Sequence, residues 1–238
     1  MGKNKLQRFA ENDTFPNLIQ PPFSEVFKTD HPLKGFWNEK IFKNENPIVL
    51  ELGCGKGEYT VGLGKMYPEK NFIGIDIKGA RLWRGAKTAH QDKLNNVAFL
   101  RTRIEHITSF FSKDEVSEIW VTFPDPQLKR VRVTKRLTSS IFLNNYKTFL
   151  KKNGIVHLKT DSIDLHHYTK SIVEFNNLKV HSCTDDPYGI ATDDPILSIK
   201  TFYEEQYLEK GLPITYLSFE LSNEEAIVEP TKRRTQFF

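Results

Sequence analysis

Cysteine is scarce in this sequence, with only Cys54 and Cys183 among 238 residues. Two cysteines cannot build a disulfide framework, so we expect a protein of a reducing compartment, the cytoplasm. No apolar run approaches the roughly 18 to 20 residues that a membrane span needs, and the first residues, MGKNKLQRF, lack the apolar core of a signal peptide. These absences exclude a disulfide-stabilised secreted domain and a membrane protein.

Metal-ligand patterns are absent as well. The sequence has seven histidines, but none of them stands at ligand spacing from a cysteine, and His166 and His167 are adjacent. We therefore expect no metal site. The formal net charge of +4 permits a polyanionic partner without requiring one.

An alternation of strand and helix patterns begins after Pro47 and predicts a doubly wound, mostly parallel α/β sheet. Two later segments, 180–183 and 214–221, bring the strand count to seven, and the second of them suits an edge hairpin. The other strand candidates are residues 48–52, 71–77, 97–101, 118–123 and 155–159. The helical patterns lie near 58–67, 78–93, 104–112, 134–151 and 162–175.

Both ends of the chain differ in composition from the middle. Residues 1–30 are polar, basic and interrupted by prolines, which predicts a flexible basic arm that is either disordered or ordered by RNA. Residues 31–221 are long enough for a single domain. Residues 222–238 form a C-terminal tail that contains Lys232, Arg233 and Arg234.

Residues 48–57, IVLELGCGKG, join an apolar strand to a loop that contains Gly53, Gly55 and Gly57. Glycine lets the backbone approach a ligand, and the following helix directs its first N–H groups at the loop. The spacing G-x-G-x-G lacks the extra residue of the dinucleotide motif G-x-G-x-x-G. Glu51 would repel a pyrophosphate but attract the cationic sulfonium and ammonium groups of S-adenosylmethionine. The loop therefore favours S-adenosylmethionine over NAD.

The ends of the second and third strand candidates carry polar side chains that suit an adenosine ligand. Asp76 stands where a carboxylate accepts hydrogen bonds from both ribose hydroxyls, a feature that dinucleotide-binding proteins share. Arg103, Ile104 and Glu105 follow the third strand candidate. Because an arginine side chain cannot accept a hydrogen bond, we expect the Ile104 backbone N–H to bind adenine, with Glu105 as a candidate acceptor.

Asp125 lies between two prolines in the segment FPDP, directly after the fourth strand candidate. Pro124 and Pro126 stiffen this loop and are expected to fix the carboxylate beside the site. Five residues between positions 129 and 136 are cationic, which favours phosphate binding over a merely solvated surface. These residues are Lys129, Arg130, Arg132, Lys135 and Arg136.

A second cationic set recurs every three residues after Asp76. An exposed helix face and an RNA contact explain this spacing equally well. The set comprises Lys78, Arg81, Arg84 and Lys87, with Trp83 interleaved.

Two later segments add polar side chains. Asp161, in KTD, ends the fifth strand candidate and stands across from Asp125. Residues 184–195 hold four aspartates and form a long loop, either solvated or a lid over the site. The segment TFYEE, from Thr201, is explained equally well by the start of a helix and by a functional site when it is taken alone.

Together these segments resemble one enzyme family, the bacterial tRNA guanine-N7 methyltransferases. The shared pattern comprises ELGCGKG, GID, FPDP with its basic run and RL, KTD, and TFYEE, and it covers about residues 30–220. FPDP combined with TFYEE is not shared by methyltransferases in general. The resemblance implies a class I methyltransferase fold, S-adenosylmethionine as cofactor, and guanine 46 of the tRNA variable region as the methylated base.

The family's functional residues map onto matching positions of this sequence. The resemblance implies cofactor contacts at Glu51, Asp76 and Arg103, and a catalytic, cofactor-side role for Asp125. Arg103 departs from the pattern, since many members have Asp or Asn there, which affects the adenine contact rather than the family. The implied substrate contacts are Lys129, Asp161, Thr201, Phe202, Tyr203 and Glu204.

Three rival functions each explain part of the sequence. A small-molecule methyltransferase shares the cofactor half but has no use for the cations at 129–136. An NAD oxidoreductase conflicts with the glycine spacing and with Glu51. A non-catalytic RNA-binding module leaves the strand-end carboxylates unexplained. We expect tRNA as the partner, and a monomer and a homodimer remain equally open.

Overall fold

Eight strands form one sheet in a computed structural model, which describes residues 3–185, 213–221 and 225–230. The strands are β1 (Leu18–Ile19), β2 (Ile48–Leu52), β3 (Asn71–Asp76), β4 (Val97–Arg101), β5 (Val116–Thr122), β6 (Leu150–Thr160), β7 (Val180–Thr184) and β8 (Thr215–Glu220). Their order across the sheet is β1-β4-β3-β2-β5-β6-β8-β7. All neighbours pair in parallel except β8, which runs antiparallel to both β6 and β7.

Helices cover both faces of the sheet. α3 and α4 pack on one face, and α5 and α6 pack on the other. None of the helices within the described ranges is both long and apolar enough to cross a membrane. The α-helices are α1 (Lys3–Asn12), α2 (Phe23–Val26), α3 (Glu58–Met66), α4 (Gly79–Gln91), α5 (Ser140–Lys147) and α6 (Ile163–Phe175). A π-helical turn spans Asn38–Phe42, and 3-10 helices span Ile104–Ser109 and Arg130–Lys135.

β2 lies at the centre of the sheet because it can bury both of its faces. Leu50 and Leu52 join the core under α5 and α6, whereas Val49 joins the core under α3 and α4. β2 pairs with β3 on one side and with β5 on the other, so the strand order reverses here. In open α/β sheets such a reversal opens a crevice at the carboxyl ends of the strands, where ligands bind.

The predicted doubly wound α/β fold is confirmed, and all seven predicted strands are present. The eighth strand, β1, comes from the segment that the sequence assigns to an arm. Residues 214–221 belong to an antiparallel strand pair at the edge of the sheet, as the predicted edge hairpin requires, but β8 is the inner strand of that pair and is buried at every position. The edge is formed by β7, whose residues are exposed or half-buried.

Two predicted helices are shorter than expected. Residues 104–112 contain only a short 3-10 helix, and residues 134–151 are divided between a 3-10 helix and α5. α5 ends early because Leu150 pairs with Val116 in the sheet, which draws the chain out of the helix. The hydrophobic period alone cannot show this pairing.

Residues 3–30 pack against the domain instead of forming the predicted flexible arm. Phe15, Leu18 and Val26 are buried, and β1 pairs in parallel with β4. The side chain of Asn12, in α1, donates a hydrogen bond of 3.0 Å to a main-chain carbonyl at the start of α4. The segment is polar and is interrupted by Pro16, Pro21 and Pro22, so its burial could not be predicted from its composition.

Substitution of Gly57 tests how tightly the glycine loop is packed. A Cβ at Gly57 would overlap the ring of Phe99, whereas a Cβ at Gly55 would meet nothing within 4 Å; φ is positive at both positions. Gly57→Ala should therefore lower the free energy of unfolding by about 1–3 kcal/mol more than the matched control Gly55→Ala. Urea unfolding without ligand measures the difference, and equal losses would contradict this packing.

Candidate active site

The glycine loop folds back onto the end of β3. The N–H of Gly53 donates to the carbonyl of Ile75 at 2.8 Å, and the N–H of Gly55 donates to Oδ2 of Asp76 at 3.0 Å. Gly53, Gly55 and Gly57 have φ values of +77°, +57° and +70°, which other residues rarely adopt. The glycines are therefore required for the sharp bend that brings the loop over the crevice.

Glu51 lies beneath this loop and is only 3% exposed. Its Oε2 accepts hydrogen bonds from the Thr60 N–H, at 2.8 Å, and from the Thr60 hydroxyl, while Oε1 accepts from the Thr122 hydroxyl at 2.6 Å. Burial raises the pKa of Glu51 to about 7, although the hydrogen bonds from Thr122 and Thr60 act in the opposite direction. One carboxylate thus links β2, α3 and β5.

Asp76 presents a carboxylate that the backbone holds in place. Its Oδ2 accepts from Gly55, and its Oδ1 accepts from the N–H of Lys78 at 2.7 Å. A carboxylate offers about four lone-pair sites, so these two bonds orient Asp76 and leave acceptor sites for a ligand.

A cavity of about 360 Å³ opens beside the glycine loop at the ends of β3 and β4. Four residues predicted to bind the cofactor line it: Gly53, Asp76, Arg103 and Ile104. Its volume and its mixture of apolar walls with a few polar groups are typical of a small-ligand site. The cavity is also lined by Glu105, Ile77, Leu137 and Phe142.

Arg103 and its neighbour Thr102 differ at the edge of this cavity. Both line it, but the Arg103 side chain is exposed, whereas Thr102 is buried. A threonine hydroxyl can accept a hydrogen bond, which a guanidinium cannot. No local pattern distinguishes Thr102, because threonine is common in strands whatever their function.

Asp125 stands on a loop that is bent at both ends. Phe123 and Gln127 have positive φ values of 46° and 47°, which is unusual for residues other than glycine. The Phe123 N–H donates to the carbonyl of Lys159 at 2.8 Å, and the Gln127 N–H donates to Oδ1 of Asp125 at 3.0 Å. The Asp125 side chain is exposed and follows the end of β5, the strand that neighbours β2.

The basic run contains two kinds of cation. Four of its members have exposed side chains: Lys129, Arg130, Arg132 and Lys135. Arg136 is only 8% exposed, and its guanidinium donates to the main-chain carbonyls of Pro126 and Gln127. Both residues belong to the Asp125 loop, residues 123–127. The prediction that Arg136 contacts RNA is therefore wrong for this conformation, because its charged end is turned inward.

The predicted substrate residues lie only partly within the described structure. Asp161 is half-buried just beyond β6, and the pairing of Thr122 with Lys159 places the ends of β5 and β6 side by side. Asp125 and Asp161 therefore stand on loops that leave neighbouring strands. Most of the loop 184–195 lies outside the described residues, as do Thr201, Phe202, Tyr203 and Glu204.

Sequence reasoning missed the two threonines that hold Glu51. Thr122 ends β5, which neighbours β2, so its place just before FPDP was the available signal. Thr60 is the third residue of α3 and meets Glu51 only after the glycine loop has turned. No sequence pattern predicts that contact.

The second cationic set is divided between two roles. Lys87 forms an ion pair of 2.7 Å with Glu11 of α1, and the Trp83 Nε1–H donates to the same carboxylate at 2.7 Å. Lys78 and Arg81 line the cavity instead. Only part of this helix face is thus available to an RNA.

A larger cavity, of about 530 Å³, lies near the amino end of β4 and is lined by residues that include Pro16, His90 and Lys93. It contains none of the predicted site residues and faces the edge of the sheet opposite the crevice. Within the described ranges, no group of three or more His, Cys, Asp or Glu side chains is placed to hold a metal ion. The predicted lack of a metal stays a prediction.

Comparison with known proteins shows that most of the chain is similar to methyltransferases. A family model described as "Putative methyltransferase" matches residues 45–217. The chain is 54% identical over 230 residues to the tRNA (guanine-N(7)-)-methyltransferase of Bacteroides fragilis, covering 97% of this chain and 90% of the relative. It is 56% identical over 212 residues to the enzyme of that name from Porphyromonas gingivalis, covering 88% and 86%.

Solved structures match the fold. The 16S rRNA methyltransferase KamB superposes with a TM-score of 0.61 at 14% identity, covering 83% of this chain and 98% of that one. An antibiotic-related methyltransferase superposes with a TM-score of 0.59 at 18% identity, covering 82% and 97%. Identities this low establish a shared fold and nothing more specific.

The raised pKa of Glu51 predicts a pH-dependent stability. The unfolded chain loses this proton near pH 4.5 and the folded chain near pH 7, so the folded state is destabilised as the pH rises between them. Glu51→Gln should remove a fall on the order of 3 kcal/mol in the free energy of unfolding. Urea unfolding across this range measures it.

The exposed Glu69→Gln is the matched control and should keep the wild-type pH profile. An identical profile in Glu51→Gln would show that Glu51 does not titrate as its burial requires.

Proposed function

The chain belongs to the tRNA (guanine-N(7)-)-methyltransferase family, and we propose that it transfers a methyl group from S-adenosylmethionine to N7 of guanine in tRNA. The observation that carries the proposal is that the glycine loop, Asp76 and the Asp125 loop follow the carboxyl ends of the neighbouring strands β2, β3 and β5, with exposed cations directly after the Asp125 loop. The family resemblance gives guanine 46 of the variable region as the acceptor.

The cavity residues fit S-adenosylmethionine. Asp76 keeps free lone pairs for the ribose hydroxyls, and the apolar walls formed by Leu137 and Phe142 suit the adenine ring. The backbone N–H of Ile104 remains the proposed adenine contact, with Thr102 and Glu105 as neighbouring acceptors. When bound, the cofactor supplies an electrophilic methyl group on a cationic sulfur.

Glu51 acts from beneath the loop. Its oxygens are occupied by Thr60 and Thr122, so it supplies negative charge and loop geometry to the cofactor side. A buried carboxylate in a low-dielectric setting favours a nearby cation more strongly than an exposed one does.

Asp125 is the proposed catalytic carboxylate. Guanine N7 carries a lone pair and no proton, so Asp125 does not need to act as a base. Positive charge develops on the purine ring during transfer, and a fixed carboxylate stabilises it. The bond from Gln127 holds the Asp125 carboxylate in one orientation for this purpose.

Guanine is proposed to be selected by Asp125 and Asp161. Carboxylates on neighbouring loops can accept the N1–H and N2–H donors of guanine, a pair that adenine lacks. Thr201, Phe202, Tyr203 and Glu204 are proposed as further substrate contacts on the family resemblance alone.

The exposed cations are proposed to bind the tRNA backbone. Lys129, Arg130, Arg132 and Lys135 stand on the segment that follows Asp125, so phosphate contacts there would bring the acceptor base to that loop. Cys54 and Cys183 are unpaired, which suits the proposed cytoplasmic location. Monomer and homodimer both fit this arrangement.

Nucleoside mass spectrometry of an unmodified tRNA transcript tests the reaction. After incubation with the protein and S-adenosylmethionine, 7-methylguanosine should appear. Asp125→Ala should lower the rate about 10²-fold or more, as for other lost transition-state contacts, and leave the tRNA Kd nearly unchanged. Asp164→Ala, an exposed acid on α6, is the control. Equal losses of rate and tRNA affinity would remove the catalytic role of Asp125.

Salt dependence tests the phosphate contacts. The double variant Lys129→Ala/Arg132→Ala should bind tRNA more weakly, with a log Kd against log salt slope shallower by about 1.4 to 1.8, because two phosphate contacts are lost. Lys151→Ala/Lys152→Ala removes the same charge from exposed positions of β6 and should keep the wild-type slope. Identical slopes for the two double variants would place Lys129 and Arg132 away from the RNA.

A further inference from the structure

Arg136 is the one member of the basic run that turns inward. Its Nε donates to the carbonyl of Pro126 at 3.0 Å, and its Nη2 lies 3.5 Å from the carbonyl of Gln127. These are the two residues that directly follow Asp125. A planar guanidinium that bonds both carbonyls fixes their relative orientation, which a flexible lysine would not do.

The backbone of the Asp125 loop needs stabilising contacts from outside the loop. Phe123 and Gln127 both have a left-handed backbone, a conformation that persists only where the surroundings impose it. The Gln127 N–H in turn donates to the Asp125 carboxylate. A shift of the Gln127 peptide would therefore move Asp125 directly.

The Arg136 guanidinium itself packs against the ring of Tyr168 in α6. The guanidinium carbon lies 4.3 Å from the centre of the Tyr168 ring, which is a cation–π contact. The Tyr168 hydroxyl donates to both oxygens of Glu229, at 2.9 and 3.1 Å. Glu229 also accepts from the Ser140 N–H at 3.0 Å, at the start of α5, where a negative charge is favourable.

The segment that carries Glu229 is firmly attached, although it belongs to the predicted C-terminal tail. Ile227 is 2% exposed, and its carbonyl and N–H bond the side chain of Asn144 at 2.8 and 2.9 Å. Val228 makes the same two-way contact with Asn176, at 2.9 Å in both directions. Residues 225–230 thus join α5 and α6 on the side of the loop.

We propose that Arg136, Tyr168 and Glu229 are positioning residues that hold the Asp125 loop in its active shape, so that methyl transfer depends on the C-terminal segment 225–230. This inference rests on the proposed function, since it assumes that Asp125 acts at the reacting base. It replaces the phosphate contact that the sequence pattern predicts for Arg136.

Steady-state kinetics with tRNA and S-adenosylmethionine test the proposal, with tRNA Kd and thermal midpoints measured beside them. Arg136→Lys keeps the charge but loses the planar guanidinium that bonds both carbonyls. The kcat should therefore fall about 10- to 100-fold, as expected when a catalytic group is misplaced, while the tRNA Kd stays near wild type. Lys152→Arg makes the reverse exchange at an exposed position of β6 and should change neither quantity.

Two milder variants keep the test decisive if Arg136→Lys folds poorly. Tyr168→Phe keeps the ring beneath Arg136, and Glu229→Gln keeps the size of the side chain; both should lower kcat at temperatures well below their thermal midpoints. Combined with Arg136→Lys, Glu229→Gln should add little further loss, because the residues act through one loop.

Wild-type kcat in Arg136→Lys, or in both milder variants, would overturn the proposal. Lower thermal midpoints with unchanged kcat would overturn it as well, by showing a purely structural role. If the wild type is active and these variants keep its kcat, only the positioning role of Arg136, Tyr168 and Glu229 is rejected. If the wild type forms no 7-methylguanosine, the proposed function is rejected.

Discussion

The hydrogen-bonded burial of Glu51 is the interaction on which the rest of the site depends. Its carboxylate sits under the glycine loop and joins the first turn of α3 to the ends of β2 and β5 through Thr60 and Thr122. A buried carboxylate is costly unless it is hydrogen-bonded, and these two threonines offset that cost. The same burial raises the pKa of Glu51 to about 7, so a cationic cofactor bound nearby would shift this acid toward its charged form.

The acceptor side is built by a different means. The strained backbone of the Asp125 loop is held by the Phe123 N–H on one side and by Arg136 on the other. Both loops leave neighbouring strands at the point where the strand order reverses. The fold therefore brings a cofactor loop and an acceptor loop together, while separate contacts shape each of them.

Much of this arrangement could be predicted from the sequence. The order of strands and the glycine loop follow from local pattern, because β2 is an apolar run, interrupted only by Glu51, that leads directly into Gly53. The inward turn of Arg136 could not be predicted, since a guanidinium beside four exposed cations has the same sequence signature whether it faces phosphate or a carbonyl. The packing of residues 3–30 could not be predicted for a related reason. Phe15, Leu18 and Val26 are buried by contacts with segments that are distant in the sequence, and local periodicity carries no information about such contacts.

The most direct test of the central role of Glu51 is the proton balance of cofactor binding. Calorimetry of S-adenosylmethionine binding near pH 7, in buffers of different ionisation enthalpy, counts the protons exchanged. A pKa of about 7 means that Glu51 is partly protonated without ligand, and a bound cation lowers that pKa. Wild type should therefore release a fraction of a proton on binding, and Glu51→Gln should release none. Equal release by both proteins, or none by wild type, would contradict the account.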